Sequence, residues 1–170
     1  MAAESSEIHL SFGKGFGIAS QESGEQAVQL HAVRLHPVLP SIGVFQLGYG
    51  LRLTHFSADQ ILGSPFAVTA LNAGIQAAFG GIPGLELGMN IDMIGISLGD
   101  STTKRFNLLL GGKNDKGFLS SEFFVMTRFL DTAFLRLGFA HLATEQTPNA
   151  IGRRQDFTDL LMLSFGWVFK

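Results

Sequence analysis

The sequence predicts an all-β chain: an antiparallel up-and-down transmembrane β-barrel of eight strands. Three observations predict it. Large apolar residues recur at every second position in segment after segment, with small or polar residues between them, which is the period of a strand with two unlike faces. The glycines sit in the polar set, at Gly13, Gly15, Gly17, Gly48, Gly50, Gly88, Gly138 and Gly166. Small residues help fill a narrow barrel interior, and a water-facing surface gives no such reason for them. Finally, the segments are even in number, and their connections alternate between longer and shorter.

Composition fits that class. The 170 residues make one domain by size, read as a flexible N-terminal segment over 1–7 and a single barrel over 8–170. Hydrophobic residues make up 46% and charged residues 15%, against roughly 25% charge in an average soluble domain. Sixteen Phe stand against one Trp and one Tyr, which supplies apolar area without a polar handle. A net charge of −2 points to no nucleic-acid partner. The absence of cysteine removes disulfide and thiolate chemistry. No apolar run is long enough for a transmembrane helix, and a barrel would show none. Residues Met1 to Glu7 lack the basic start and apolar run of a signal peptide. A mature exported protein with a new start methionine looks like this, and so does a cytoplasmic one.

The elements follow in order. The first strand covers about Ile8 to Ile18, with Ile8, Leu10, Phe12, Phe16 and Ile18 opposite His9, Ser11 and three glycines. Lys14 interrupts the apolar set, by snorkelling or by a bulge. After a polar loop the second strand covers about Ala27 to His36, ended by Pro37 and Pro40. The third covers about Gly43 to Phe56: Phe45, Leu47, Tyr49, Leu51 and Leu53 alternate with Gln46, Gly48, Gly50, Arg52 and Thr54. That is long for a soluble strand and suits a tilted membrane-spanning one of about 9–11 residues in lipid. A loop is expected over Ser57 to Phe66, then a fourth strand over Ala67 to Phe79 and a tight turn through Gly80-Gly81-Ile82-Pro83-Gly84. The fifth places Leu85, Leu87, Met89, Ile91 and Met93 against Glu86, Gly88, Asn90 and Asp92, and its phase blurs at Ile94. The stretch to Gly117 reads as a long loop with a tucked apolar segment at Phe106 to Leu110, although a ninth strand is open there. The last three strands cover about Phe118 to Phe129, Phe134 to Glu145, and the C-terminal run that follows a loop over Gln146 to Asp156.

The polar face is the inner one. A soluble barrel would carry Lys and Glu outside and large residues in its lumen, and here the second face is glycine-rich instead. Short turns on the side of both termini, with longer connections opposite, are what barrels of the bacterial outer membrane show.

The chain resembles the small eight-stranded bacterial outer-membrane β-barrel proteins over essentially its whole length. Its closing Leu163-Ser164-Phe165-Gly166-Trp167-Val168-Phe169 is similar to the terminal strand by which the barrel-assembly machinery recognises its clients, although Lys170 follows the final aromatic residue. The run Leu87 to Gly99 and the motif Ser120-Ser121-Glu122-Phe123-Phe124 are similar to segments of uncharacterised barrels of this kind. The resemblance implies a fold and an outer-membrane location but no activity.

Candidate site residues follow from the parity. Arg52, Glu86, Asp92, Glu122, Arg128 and Arg136 belong to the inward set. Buried charge must be paired, so Glu122 or Asp92 is expected to contact at least one of Arg52, Arg128 and Arg136. Phe45, Tyr49, Phe165, Trp167 and Phe169 are expected at the lipid face or its interface. The loop residues Phe106, Leu108 and Leu110 are the partner-binding candidates, because an exposed apolar loop seeks a surface. His55 and Ser57 share a strand face, as a base and nucleophile must. The pair resembles the His-x-Ser of outer-membrane lipid A deacylases, but Ala58 follows it where that family has Asn, and His55 has the parity of the lipid-facing Leu51 and Leu53. No metal spacing occurs among the five histidines, and no cofactor is expected.

The function expected is a structural or accessory outer-membrane barrel. Its expected partners are membrane lipid or lipopolysaccharide, a larger outer-membrane protein complex, and the assembly machinery during biogenesis. The alternatives are a membrane lipid-modifying enzyme centred on His55 and Ser57, and a soluble barrel with an apolar ligand in its lumen.

Overall fold

A computed structural model of the chain describes residues 4–15, 24–39, 44–61, 64–98, 105–107, 117–130, 132–146 and 154–169. The strands are β1 (Ser5–Gly15), β2 (Gln26–Leu39), β3 (Val44–Ile61), β4 (Ser64–Ile82), β5 (Leu85–Leu98), β6 (Arg105–Asn107), β7 (Gly117–Arg128), β8 (Ala133–Gln146) and β9 (Arg154–Phe169). Eight of them form the wall in the order β4-β3-β2-β1-β9-β8-β7-β5, and β4 pairs with β5 to close it. Every pairing in the wall is antiparallel. Closure gives every strand of the wall a hydrogen-bonded neighbour on both sides among the described residues, the condition for exposing a β-sheet to lipid.

The two faces are inverted relative to a water-soluble protein. On β9, Leu160, Met162, Ser164 and Val168 are buried, while Leu161, Leu163, Phe165, Trp167 and Phe169 are exposed. On β1, Glu7, His9 and Ser11 are buried between the exposed Ile8, Leu10 and Phe12. The exposed apolar residues continue around the wall through Leu30, Leu51, Ile75, Leu87, Phe123 and Leu137. Water would penalise such a belt at about 25 cal/mol per Å² of apolar surface, and hydrocarbon does not. The soluble-barrel alternative is overturned by this belt and by the charged interior.

The interior is packed rather than hollow. Towards the end with the longer connections lies an apolar cluster of Ala27, Phe56, Val68, Ala70, Ala140, Leu160 and Met162. Towards the end with the termini lies a second, made of Ala78, Phe124, Met126, Phe134 and Val168. Buried polar and charged side chains fill the space between them.

Several boundaries differ from those expected: β2 runs on through Pro37 to Leu39, β4 runs to Ile82 and β9 starts at Arg154. β1 begins at Ser5, and Glu7 has no exposure, so Ser5 to Glu7 belong to the wall and not to a free tail. The expected loop over Ser57 to Phe66 is mostly paired: Ser57 opposes Ala67, Ala58 opposes Phe66 and Ile61 opposes Ser64, because the β3–β4 ladder continues past the apolar belt. In β5, Ala73 opposes Ile94 while Gly74 opposes Asp92, which makes Met93 the extra residue of a bulge. The bulge reverses the inward and outward parity beyond it, and this is why the phase blurs at Ile94. Finally, within the expected loop to Gly117, Arg105–Asn107 pair with Ile94 to Ile96. The described β5–β7 pairs end at Ile91 opposite Ser121, and β6 takes up the β5 edge beyond them.

Candidate functional site

The inward parity of β3, β4, β5, β7 and β8 brings the predicted acids and arginines into one network. Arg136 is fully buried. Its Nη2 lies 2.5 Å from Glu122 Oε2 and its Nε donates to Glu122 Oε1 at 3.2 Å, a two-point contact between planar groups. The guanidinium carbon sits 3.7 Å from the centre of the Phe124 ring, and the cation is stabilised there by the ring face. Gly138 makes room for this pair, since a Cβ at that position would overlap the Glu122 carboxylate.

Arg52 anchors the neighbouring cluster. Its Nη1 donates to Ser120 Oγ and lies 3.7 Å from Asp92 Oδ1, while its Nη2 is 4.0 Å from Glu122 Oε2. Asp92 Oδ2 accepts from Asn72 Nδ2 at 2.7 Å, from the Ser120 amide at 2.9 Å and from the Ser120 hydroxyl at 2.8 Å. Asn90 Nδ2 donates to Glu122 at 3.2 Å. Two arginines thus face two carboxylates, and the charge balances within the slab.

A third cluster reaches the terminal end. Arg128 lies 3.2 Å from Glu86 and 3.5 Å from Glu7. Gln76 joins it to the slab: its amide nitrogen donates to Glu7 at 3.2 Å and its oxygen accepts from Arg136 at 3.4 Å. Beside it, His31 Nδ1 and His9 Nε2 are 3.3 Å apart and the hydroxyls of Ser11 and Ser164 are 2.7 Å apart.

All six residues predicted as an inward polar set lie in these contacts. Glu7, His9, His31, Asn72, Gln76, Asn90 and Ser120 join the network without having been site candidates. For His9, Asn72, Gln76 and Asn90 the signal was present, since each alternates with lipid-facing residues. Glu7 lay beyond the expected strand boundary.

The remaining candidates lie apart from the network. Tyr49, Phe165, Trp167 and Phe169 are exposed on the outer face, and Phe165 packs edge-on against Trp167 at 4.7 Å and stacks on Phe129 at 5.9 Å. Phe45 is half-buried on the same face of β3. The backbone of Phe106, in β6, pairs with that of Gly95 in β5, while Leu108 and Leu110 lie outside the described residues. His55 is exposed on the outer face of β3, where its Nδ1 is 2.9 Å from Thr69 Oγ1. Nδ1 is the ring atom that an orienting acid holds in a hydrolase triad, and here a threonine hydroxyl engages it. Ser57 lies further along the same strand, opposite Gln26 and Ala67. Near the termini, Glu4 accepts from Arg34 at 2.9 Å and lies 3.2 Å from His36. The hydrogen bond from Arg34, then the contact with His36, hold its carboxyl below the usual range. Among the described residues, no three His, Asp or Glu side chains are grouped to hold a metal ion.

No protein-family model matches this sequence, and no curated protein matches it either. Solved structures do match. Neisserial surface protein A (NspA) shares 9% identity over 98% of this chain and 95% of its own, with a TM-score of 0.51. The N-terminal β-barrel domain of Pseudomonas aeruginosa OprF shares 10% identity over 97% of each chain, with a TM-score of 0.49. OprG, an outer-membrane protein of the same organism, shares 12% identity over 99% of this chain and 96% of its own, with a TM-score of 0.46. The likeness to NspA is one of fold. The chain resembles the small bacterial outer-membrane barrel proteins, and its apolar exterior around a charged interior places it in that membrane.

Proposed function

We propose that this chain is a sealed structural barrel that anchors its outer connections at the bacterial surface and serves as an accessory subunit of a larger outer-membrane complex. One observation carries the sealed reading: the interior is filled along its length by an apolar cluster, a paired charged slab and a second apolar cluster. An eight-stranded wall is only just wide enough for its own side chains, and Arg136, Phe56, Phe134 and Met162 occupy that width with less than 2% exposure.

On this reading the belt binds membrane lipid or lipopolysaccharide, the segment at Phe106, Leu108 and Leu110 is the contact for a protein partner, and Leu163 to Phe169 is the strand read by the assembly machinery. Reconstitution into a planar bilayer tests the seal. The expected trace has no discrete conductance steps, and reproducible ohmic steps from the folded protein overturn it. Native gels of solubilised membranes test the complex, which is expected to migrate well above the mass of the isolated barrel. Migration as the isolated barrel alone sinks that part.

A further inference from the structure

We propose that Ser121, His141 and Asp159 form a hydrolase site on the outer wall of the barrel, directed at a long-chain carboxylic ester of a membrane lipid. The three residues stand side by side on neighbouring strands. Ser121 on β7 opposes His141 on β8, and His141 opposes Asp159 on β9. The His141 Nδ1 is 2.7 Å from Asp159 Oδ1. The two ring nitrogens of imidazole lie on opposite edges, so a bond from Nδ1 towards β9 turns Nε2 towards the β7 side. Directly opposed residues on one sheet face have Cβ atoms about 4.5–5.5 Å apart, within reach of a serine hydroxyl and an imidazole. A nucleophile, a base and an acid that orients the base are therefore set in one row.

The depth of the row suits an ester. Below His141 the outer face of β8 carries Phe139, Leu137 and Leu135. Below Asp159, β9 carries Leu161 and Leu163, and below Ser121, β7 carries Phe123 and Val125. The polar row thus begins where the apolar belt ends, in the half of the wall away from the termini. Lipid acyl esters lie at that border between hydrocarbon and headgroup. The side chains of His141 and Asp159 are 44% and 28% exposed. Lys14, exposed on β1 opposite Leu161, sets a cation beside the same border for an anionic headgroup.

The reaction balances with water as co-reactant. Ser121 Oγ attacks the ester carbonyl carbon as its proton passes to His141 Nε2. The carbon–oxygen bond to the alcohol breaks, and the leaving oxygen takes that proton. Water then gives a proton to His141 and its hydroxyl to the acyl carbon, and the Ser121 oxygen leaves with the proton from His141. The products are a free fatty acid and the deacylated lipid. Asp159 is a positioning residue that holds the tautomer. The site lies on the wall and does not depend on the seal of the lumen.

The test uses the full chain in detergent micelles, with each variant first shown to be folded by its heat-dependent gel mobility. A serine-reactive fluorophosphonate is expected to add to the wild type at Ser121, read by intact mass and peptide mapping. Ser121→Ala is expected to abolish labelling, and His141→Gln to slow it at least about 100-fold. Asp159→Asn is expected to slow it and shift its pH profile, with partial rescue by Asp159→Glu. Fatty-acid release from diacylglycerophospholipid vesicles and, separately, from lipopolysaccharide vesicles identifies the ester source. Release from either, lost in Ser121→Ala, supports the site. Absence of labelling, labelling that survives Ser121→Ala, loss that follows Ser57→Ala instead, or labelling without release from either lipid overturns it.

Discussion

Arg136 shows how a cation comes to lie wholly inside a barrel. Its Nη2 and Nε meet Glu122, its Nη1 meets Gln76, and Phe124 covers its face. Removing one member of a buried pair leaves the other uncompensated, at a cost of about 3–5 kcal/mol, whereas replacing both is often tolerated. Arg136→Met is therefore expected to lower the temperature at which the folded gel band converts to the unfolded one. The double variant with Glu122→Gln should recover part of that loss. A single variant as heat-resistant as the wild type would show that the pair contributes nothing. The inward direction of these side chains was legible in the sequence, because Arg52 alternates with Leu51 and Leu53, and Arg136 with Leu135 and Leu137. That Glu122 or Asp92 would meet one of these arginines was legible too, but the particular polar partners were not. Asp92 and Ser120 meet across 28 residues and Gln76 and Glu7 across 69, and cross-strand register is absent from any local pattern. The same limit hid the row of Ser121, His141 and Asp159, whose members come from three strands.

At the scale of the element, β5 and β9 mark the two extremes. β9 keeps one parity from Leu160 to Phe169, so its outward set can be read by counting in twos. Leu163 lies within that set, opposite the exposed Phe12 and Leu137 on both neighbouring strands. Leu163→Arg is expected to cost about 2–4 kcal/mol, the penalty for a cation on the lipid face near the midplane, measured by urea unfolding in lipid vesicles. A cost below 1 kcal/mol would place Leu163 away from the hydrocarbon centre. β5 changes parity at Met93, and no alternation rule survives an inserted residue. Deleting Met93 restores plain alternation, with Asp92 inward and Ile94, Ile96 and Leu98 still outward, and is expected to keep the folded gel band, whereas deleting Ile91 from the regular ladder turns Asp92 towards lipid and is expected to abolish it. Loss of the folded band on deleting Met93 would contradict the bulge assignment. The β3–β4 hairpin was underestimated for a different reason: Ser57 to Phe66 carries loop-like composition, although the backbones of Ser57, Ala58 and Ile61 pair with those of Ala67, Phe66 and Ser64.

The whole molecule is a ring whose closing seam contains the only tryptophan. Trp167 on β9 opposes Ile8 on β1 and Ala133 on β8. If the wall opens as one unit, Trp167 fluorescence and circular dichroism should follow the same urea curve. Separate midpoints would show that the seam opens before the rest.

The paired slab has a consequence for how such a ring is born. Its members come from β3, β4, β5, β7 and β8, and the β7–β8 hairpin brings one pair of its own, Glu122 with Arg136. Arg52 on β3 has no such partner in its own hairpins and waits for Asp92 on β5 and Ser120 on β7. A half-built wall would carry naked guanidinium and carboxylate groups into hydrocarbon, at several kcal/mol each. The favourable order of events is thus a late, concerted one. The hairpins gather at the headgroup region with their charges still hydrated, and the sheet sinks only as β1 meets β9. Contacts that bridge the full length of the chain make that last step slow.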